Sequence, residues 1–221
     1  MNPAIFKILG DVENKKVLDV GCGNGYFCGL LAARRAQVTG IDISKKYIEL
    51  ARKNTLPSIA YEIGNICKMN MFADDTFDVV VSINTLMDVL DFEQAITEIR
   101  RVLLPGGILA FSITHPCFSS PKVSGWVRKP IDSYRHEDSL YWHVDYYFDK
   151  VAENRPYDIM TIHRPLSEYI QCLVDKGFSM THFIEPQVSD AIVEKNARWS
   201  WRTHKRICLL LVIGARLTCS E

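Results

Sequence analysis

The residues best suited to chemistry begin with a glycine-rich run, Asp19-Val-Gly-Cys-Gly-Asn-Gly25. Glycines reach positive φ angles and let a ligand touch the backbone. A helix starting beyond such a loop offers free N–H groups and the positive end of its dipole, which suit an anionic group. The spacing is GxGxG, not the GxGxxG of a dinucleotide fingerprint, and no Gly-Lys-Ser/Thr follows as in a Walker loop. Asp42 ends the next apolar run. An acid there can accept hydrogen bonds from both hydroxyls of a ribose, which points to a nucleoside.

Three other positions could handle a proton. His115 sits in Ile113-Thr-His-Pro-Cys-Phe118, where Pro116 restricts it to extended angles. Asp88 lies in Leu86-Met-Asp-Val-Leu90, and His163 precedes Arg164-Pro165. Each also has a purely structural explanation: a histidine bonded to a loop carbonyl, a carboxylate at a helix start, and a turn leading into a helix. The open ends of strands are where parallel α/β sheets place their ligands, so all three belong in the comparison.

The elements that must position these groups alternate. Lys16–Gly21, Gln37–Ile43, Ile59–Ile66, Phe77–Ile83 and Ile108–Thr114 read as strands. Tyr26–Arg35, Ser44–Asn54 with Ser44 as N-cap, and Asp91–Leu104 read as helices. In the last, Phe92, Ala95, Ile96, Ile99, Val102 and Leu103 keep the spacing of one helical face, and Pro105-Gly-Gly107 stops it. Strands alternating with helices predict a parallel sheet covered on both sides. The pattern breaks at residues 116–160, which hold nine of the chain's Phe, Trp and Tyr residues. There Leu140–Asp149 and Tyr157–His163 read as one antiparallel hairpin turning at Glu153-Asn-Arg155. Leu166–Lys176 is a further helix, and Ser179–Glu185 and Arg206–Arg216 are the last strands. Residues 187–205, with Trp199 and Trp201, fit no element.

Composition narrows the class. Twenty-six Lys and Arg balance 26 Asp and Glu, which argues against a partner bound through nucleic-acid phosphates. No apolar run reaches the length of a membrane span, and Met1–Gly10 does not read as a signal peptide. Seven scattered Cys without a CxxC indicate neither a disulfide frame nor a zinc site, so reduced thiols, a cytoplasmic location and no metal are expected.

Several segments together resemble a known family. Val17-Leu-Asp-Val-Gly-Cys-Gly-Asn-Gly25 looks like the first motif of class I S-adenosylmethionine-dependent methyltransferases, and Ile41-Asp-Ile-Ser44 like their second. Ile63-Gly-Asn-Ile66 occupies the place of their Gly-Asp segment, with Asn65 where Asp is usual. Phe77–Ser82 and Glu98–Gly107 resemble the methyltransferase-11/25-like branch. The resemblance implies a Rossmann-like, doubly wound, seven-stranded and mostly parallel sheet with an antiparallel last strand. It also implies a single domain over residues 1–221, and the aromatic-rich insertion at 116–163 then reads as a substrate cap.

The cofactor would be S-adenosyl-L-methionine, released as S-adenosyl-L-homocysteine. Gly21, Gly23 and Gly25 would hug its methionine part, with Asp19 ordering the loop or reaching the amino group. Asp42 would hold the ribose, Ile43 would pack on the adenine, and Asn65 and Ile66 would sit at the adenine edge. Ser82 and Ile83 would approach the methionine side. His115 and Asp88 are then the candidate bases for methyl transfer to a small-molecule N or O acceptor. A non-catalytic cofactor-binding regulator or scaffold, and a protein or RNA methyltransferase, are the alternatives.

Overall fold

Four successive buried residues, Val17 to Val20, make β1 (Lys16–Val20) a strand covered on both faces. It lies between β2 (Gln37–Asp42) and β4 (Phe77–Ile83), parallel to both, with Asp19 level with Gly40 and Val81. The structure, a computed structural model, describes residues 1–119, 124–128, 140–144, 147–155, 159–187 and 207–218. Within them β3 (Ala60–Ile63) pairs parallel to β2, and β5 (Leu103–Thr114) parallel to β4. The last strand, β11 (Leu210–Leu217), runs antiparallel between β5 and β10 (Phe178–Ile184). The seven-stranded order is therefore β10-β11-β5-β4-β1-β2-β3. The doubly wound, mostly parallel sheet with its antiparallel last strand is as expected.

Alternation of side chains splits the core in two. Leu18, Val20, Val80, Leu109 and Phe111 face one side, under α4 (Phe92–Val102) and α5 (Leu166–Asp175). Val17, Val38, Val79, Val81 and Ala110 face the other, under α1 (Asn2–Leu9), α2 (Tyr26–Ala32) and α3 (Lys45–Asn54). The predicted stripe of α4 is buried, and Asp91 caps it by accepting from the Gln94 N–H. Ser44 caps α3 by accepting from the Tyr47 N–H, as expected. Helix α1 escaped the sequence reading, although Ile5, Ile8 and Leu9 keep helical spacing and are buried.

Two local expectations change. Pro105-Gly-Gly107 does end α4, but β5 already runs through it: Leu103 pairs with Phe77 and Ile108 with Val79, so the glycines form an irregularity within the strand. The described residues of the insertion form two antiparallel strand pairs rather than the one expected hairpin. β6 (Ser124–Arg128) pairs with β7 (Leu140–Val144), and β8 (Ala152–Arg155) with β9 (Ile159–Ile162). Glu153-Asn-Arg155, expected as the turn, is therefore strand. Short polar segments carry little information about strand or turn when their partner is supplied by the adjacent chain. Residues 188–206, with Trp199 and Trp201, lie outside the described residues.

Candidate cofactor and acceptor site

The carboxyl ends of β1, β2, β4 and β5 converge, and the loops leaving them build the site. After β1, the N–H groups of Gly21 and Cys22 both donate to the Ile41 carbonyl, at 2.8 and 3.0 Å, which ties the glycine run to β2. Gly21, Gly23 and Gly25 all have positive φ, at 73°, 54° and 80°. Their surroundings differ. A Cβ on Gly21 would strike the Thr85 side chain, and one on Gly25 would strike the Tyr61 hydroxyl, whereas one on Gly23 would meet nothing within 4 Å. The outer two glycines thus serve close packing, and the middle one leaves open space beside the backbone.

Asp42 closes this loop. Its Oδ2 accepts from the Gly23 N–H at 2.9 Å and its Oδ1 from the Ser44 N–H at 2.8 Å. Each oxygen keeps acceptor capacity for a further donor. Ile43, next to it, is 73% exposed, unusual for an isoleucine at the end of a buried strand. Asn65 is exposed, and its Oδ1 accepts from the Cys67 N–H at 2.9 Å.

Asp19 lies on the α2 face of β1 and is 1% exposed. Its Oδ2 accepts from the Cys28 thiol at 3.1 Å, and its Oδ1 is buried without a partner among the described residues. Burial, with the Asp42 charge adding to it against the Cys28 hydrogen bond, pushes this carboxyl up to about 7. The hydrogen bond with Cys22, burial and the Asp19 charge push the Cys28 thiol well above the ordinary thiol range.

Two carried-over positions need correction. Ser82 is fully buried and its hydroxyl donates to the Val20 carbonyl at 3.0 Å, so it ties β4 to β1. Ile66 packs into the core with Leu18, Val20 and Ile41, leaving Asn65 alone at the rim. Ile83 is partly exposed at the end of β4. Just after it, Asn84 adopts φ of 53°. Its N–H donates to the Ser112 carbonyl, and the Ser112 hydroxyl donates to its Oδ1 at 2.9 Å. Thr85 then donates to the Gly21 carbonyl at 3.2 Å. Asn84 and Thr85 shape the crevice between β1 and β4, and the sequence reading passed over both. The only sequence signal is an Asn, tolerant of positive φ, at a strand's end.

Beyond β4, Asp88 closes a single 3₁₀ turn, Leu86–Asp88, and its Oδ1 accepts from the Thr161 hydroxyl at 2.7 Å. His115 is 3% exposed. Its Nδ1 accepts from the Cys117 N–H at 3.2 Å, so Nε2 carries the proton and donates to Glu185 Oε1 at 2.8 Å. The expectation of a free imidazole lone pair is not met, because both ring nitrogens are engaged. His163 is buried too, with Nε2 against the Tyr147 carbonyl at 2.9 Å. Tyr147 stacks edge-on with His163, and its hydroxyl accepts from the Leu166 N–H, which fastens the insertion to α5. A separate groove of about 550 Å³ lies at the opposite end of the sheet, near Lys16, Gln37 and Phe77.

Comparison with known proteins agrees with this geometry. Residues 18–111 match the family described as methyltransferase domain. A crystal structure of an S-adenosylmethionine-dependent methyltransferase from Mesorhizobium loti superposes with a TM-score of 0.83 at 26% identity, covering 97% of this chain and 96% of that one. Among curated relatives, ubiquinone biosynthesis O-methyltransferases match in part. The one from Alkalilimnicola ehrlichii is 34% identical over 111 residues, 49% of this chain and 45% of that protein. The one from Idiomarina loihiensis is 34% identical over 139 residues, 55% of this chain and 57% of that protein. The chain thus spans about half the length of these curated relatives. These likenesses, of residues 18–111 to the family and of the whole fold to the solved structure, are to class I S-adenosylmethionine-dependent methyltransferases of the methyltransferase-11/25 type.

S-adenosylmethionine is the cofactor that this family and fold imply. The residues present fit it: open space over Gly23, an Asp42 carboxylate with spare lone pairs, an exposed Ile43, and an unpaired buried oxygen on Asp19. Among the described residues no helix is long and apolar enough to cross a membrane.

Proposed function

We propose that this chain is an enzyme that moves a methyl group from S-adenosylmethionine to a nitrogen or oxygen of a small molecule. The observation that carries the reading is the Asp42 carboxylate, held by the Gly23 and Ser44 N–H groups beside an open glycine backbone. When bound, the cofactor supplies a methyl group activated on a sulfonium sulfur.

The chain's own work is alignment and water exclusion, since in-line displacement needs nucleophile, methyl and sulfur on one axis. Asp42 would accept from the ribose hydroxyls, Ile43 would pack on the adenine, and Asn65 would meet its edge. The glycine run and Asp19 take the methionine end, beside Ile83. Asp88 accepts the proton of a hydroxyl or ammonium nucleophile. The base role does not suit His115, whose engaged ring nitrogens support a structural part in the wall after β5. Within the insertion, the described strands β8 and β9 would lie on the acceptor's side. Leu90, Phe148 and Met160, all exposed, would give that side an apolar lining. An oxygen acceptor draws support from the names of the partial relatives. The balanced charge argues against a nucleic-acid acceptor, and the reduced thiols suit the cytoplasm.

The test is a screen of phenols, carboxylic acids and amines with methyl-labelled S-adenosylmethionine, read by product mass. A labelled product that disappears in Asp42→Ala supports the reading. Cofactor binding without any methylated product across the three classes supports the non-catalytic alternative.

A further inference from the structure

The turn that carries Asp88 is held from outside its own element. Thr161, in β9, is 7% exposed and donates to Asp88 Oδ1 at 2.7 Å. Three residues on, Arg164 is fully buried. Its Nη2 donates to the carbonyls of Val89 and Leu90, the two residues after Asp88. Its Nε lies 3.4 Å from Glu168 Oε1, which Lys150 also approaches at 3.0 Å. Among the described residues, Nε and Nη1 have no hydrogen-bond partner.

A buried guanidinium is costly unless compensated, so its presence asks for a reason. Recognition of an anionic acceptor is one. The local charges speak against it: Arg164 and Lys150 already face Glu168, and Asp88 is close by. The hydrogen bonds of Arg164 to the Val89 and Leu90 carbonyls fix the backbone beyond Asp88.

We propose that Thr161 and Arg164 are positioning residues for Asp88, so that the last strand of the inserted region sets the carboxylate that faces the acceptor. This rests on the reading of Asp88 as proton acceptor. Seating β9 brings the Thr161 hydroxyl to the carboxylate, and Arg164 locks the two following carbonyls. Strand β9 and the base are thereby coupled: an acceptor that contacts β9 also bears on the orientation of Asp88.

Two measurements test it. Hydrogen exchange on the full chain needs no acceptor: Thr161→Val and Arg164→Lys should speed exchange at amides 86–90, while the glycine run at 20–26 stays unchanged. With methyl-labelled S-adenosylmethionine and an acceptor from the product-mass screen, Thr161→Val should lower kcat by roughly ten- to a hundredfold, the worth of a hydrogen bond to a charged group. Cofactor affinity should move less than twofold. Thr161→Ser should restore most of the rate, and in an Asp88→Asn background Thr161→Val should cost nothing more. Unchanged exchange at 86–90 in both variants would overturn the proposal. So would a Thr161→Val rate loss that persists undiminished beside Asp88→Asn. Full turnover in Asp88→Asn alone would instead sink the assignment of the base, with the exchange result still reporting whether β9 holds the turn.

Discussion

The Gly23 N–H and the Asp42 carboxylate meet at 2.9 Å, joining the loop after β1 to the end of β2. Because the same carboxylate also takes the Ser44 N–H, its plane is fixed by two backbone donors from two loops. Any nucleoside held by Asp42 is therefore registered against the glycine backbone without further adjustment. The cost of ordering the site is met in folding, before a ligand arrives.

The glycines on either side of this contact should fail in different ways. Gly21→Ala imposes about 1–2 kcal/mol of left-handed backbone strain and drives a methyl into Thr85. Chemical denaturation should show a clear stability loss, partly recovered in Gly21→Ala with Thr85→Ala. Gly23→Ala meets open space, so it should lose only the backbone share. Equal losses at the two positions would contradict this division.

Asp19 makes stability depend on pH in an unusual direction. Its folded carboxyl lies at about 7, above its ordinary 3.8, so between roughly pH 4 and 7 the folded chain keeps a proton that the unfolded chain has lost. The contribution of this group to stability therefore falls as pH rises through that window and is flat above it. Asp19→Asn should remove that slope and raise the melting temperature of the cofactor-free protein at pH 8. Cofactor affinity should fall in the same variant, since a neutral amide attracts an ammonium less. Identical melting-temperature slopes in the two proteins would show that Asp19 titrates as an ordinary acid.

His115 should behave as a structural residue. Its ring links the Cys117 N–H to Glu185, and it packs against Phe118 at 4.8 Å between ring centres. His115→Ala leaves a buried N–H and a cavity, so a loss of about 1–3 kcal/mol in stability is expected. In the folded fraction, turnover should drop far less than in Asp88→Asn. The reverse ranking in initial rates would return the base role to His115.

The cofactor half of the site was legible in the sequence because its parts are local. Asp19 to Gly25 and Asp42 to Ser44 each lie within a few residues, at strand ends that buried apolar runs mark plainly. Ser82 differed because position along a strand does not say which face a side chain takes until the neighbouring strand is placed, and Ile66 because it lies in the turn after β3, not on the strand. The acceptor half depends on pairs far apart in the chain: His115 with Glu185 across 70 residues, Thr161 with Asp88 across 73, and Arg164 with Val89 across 75. No local pattern encodes such pairings. The buried role of Arg164, in particular, contradicts the solvated surface that an arginine beside a proline suggests.

The most direct test is calorimetric titration of S-adenosylmethionine into the wild-type chain and into Asp42→Ala, with Gly23→Val as a second variant. Wild type should bind with a one-to-one isotherm. Asp42→Ala should lose about 2–4 kcal/mol of binding free energy, because two charge-assisted hydrogen bonds to the ribose disappear. Gly23→Val, folded by circular dichroism, should show no measurable heat, since the branched side chain fills the space left beside the backbone. Wild-type affinity retained in both folded variants would contradict a cofactor site built on Gly23 and Asp42.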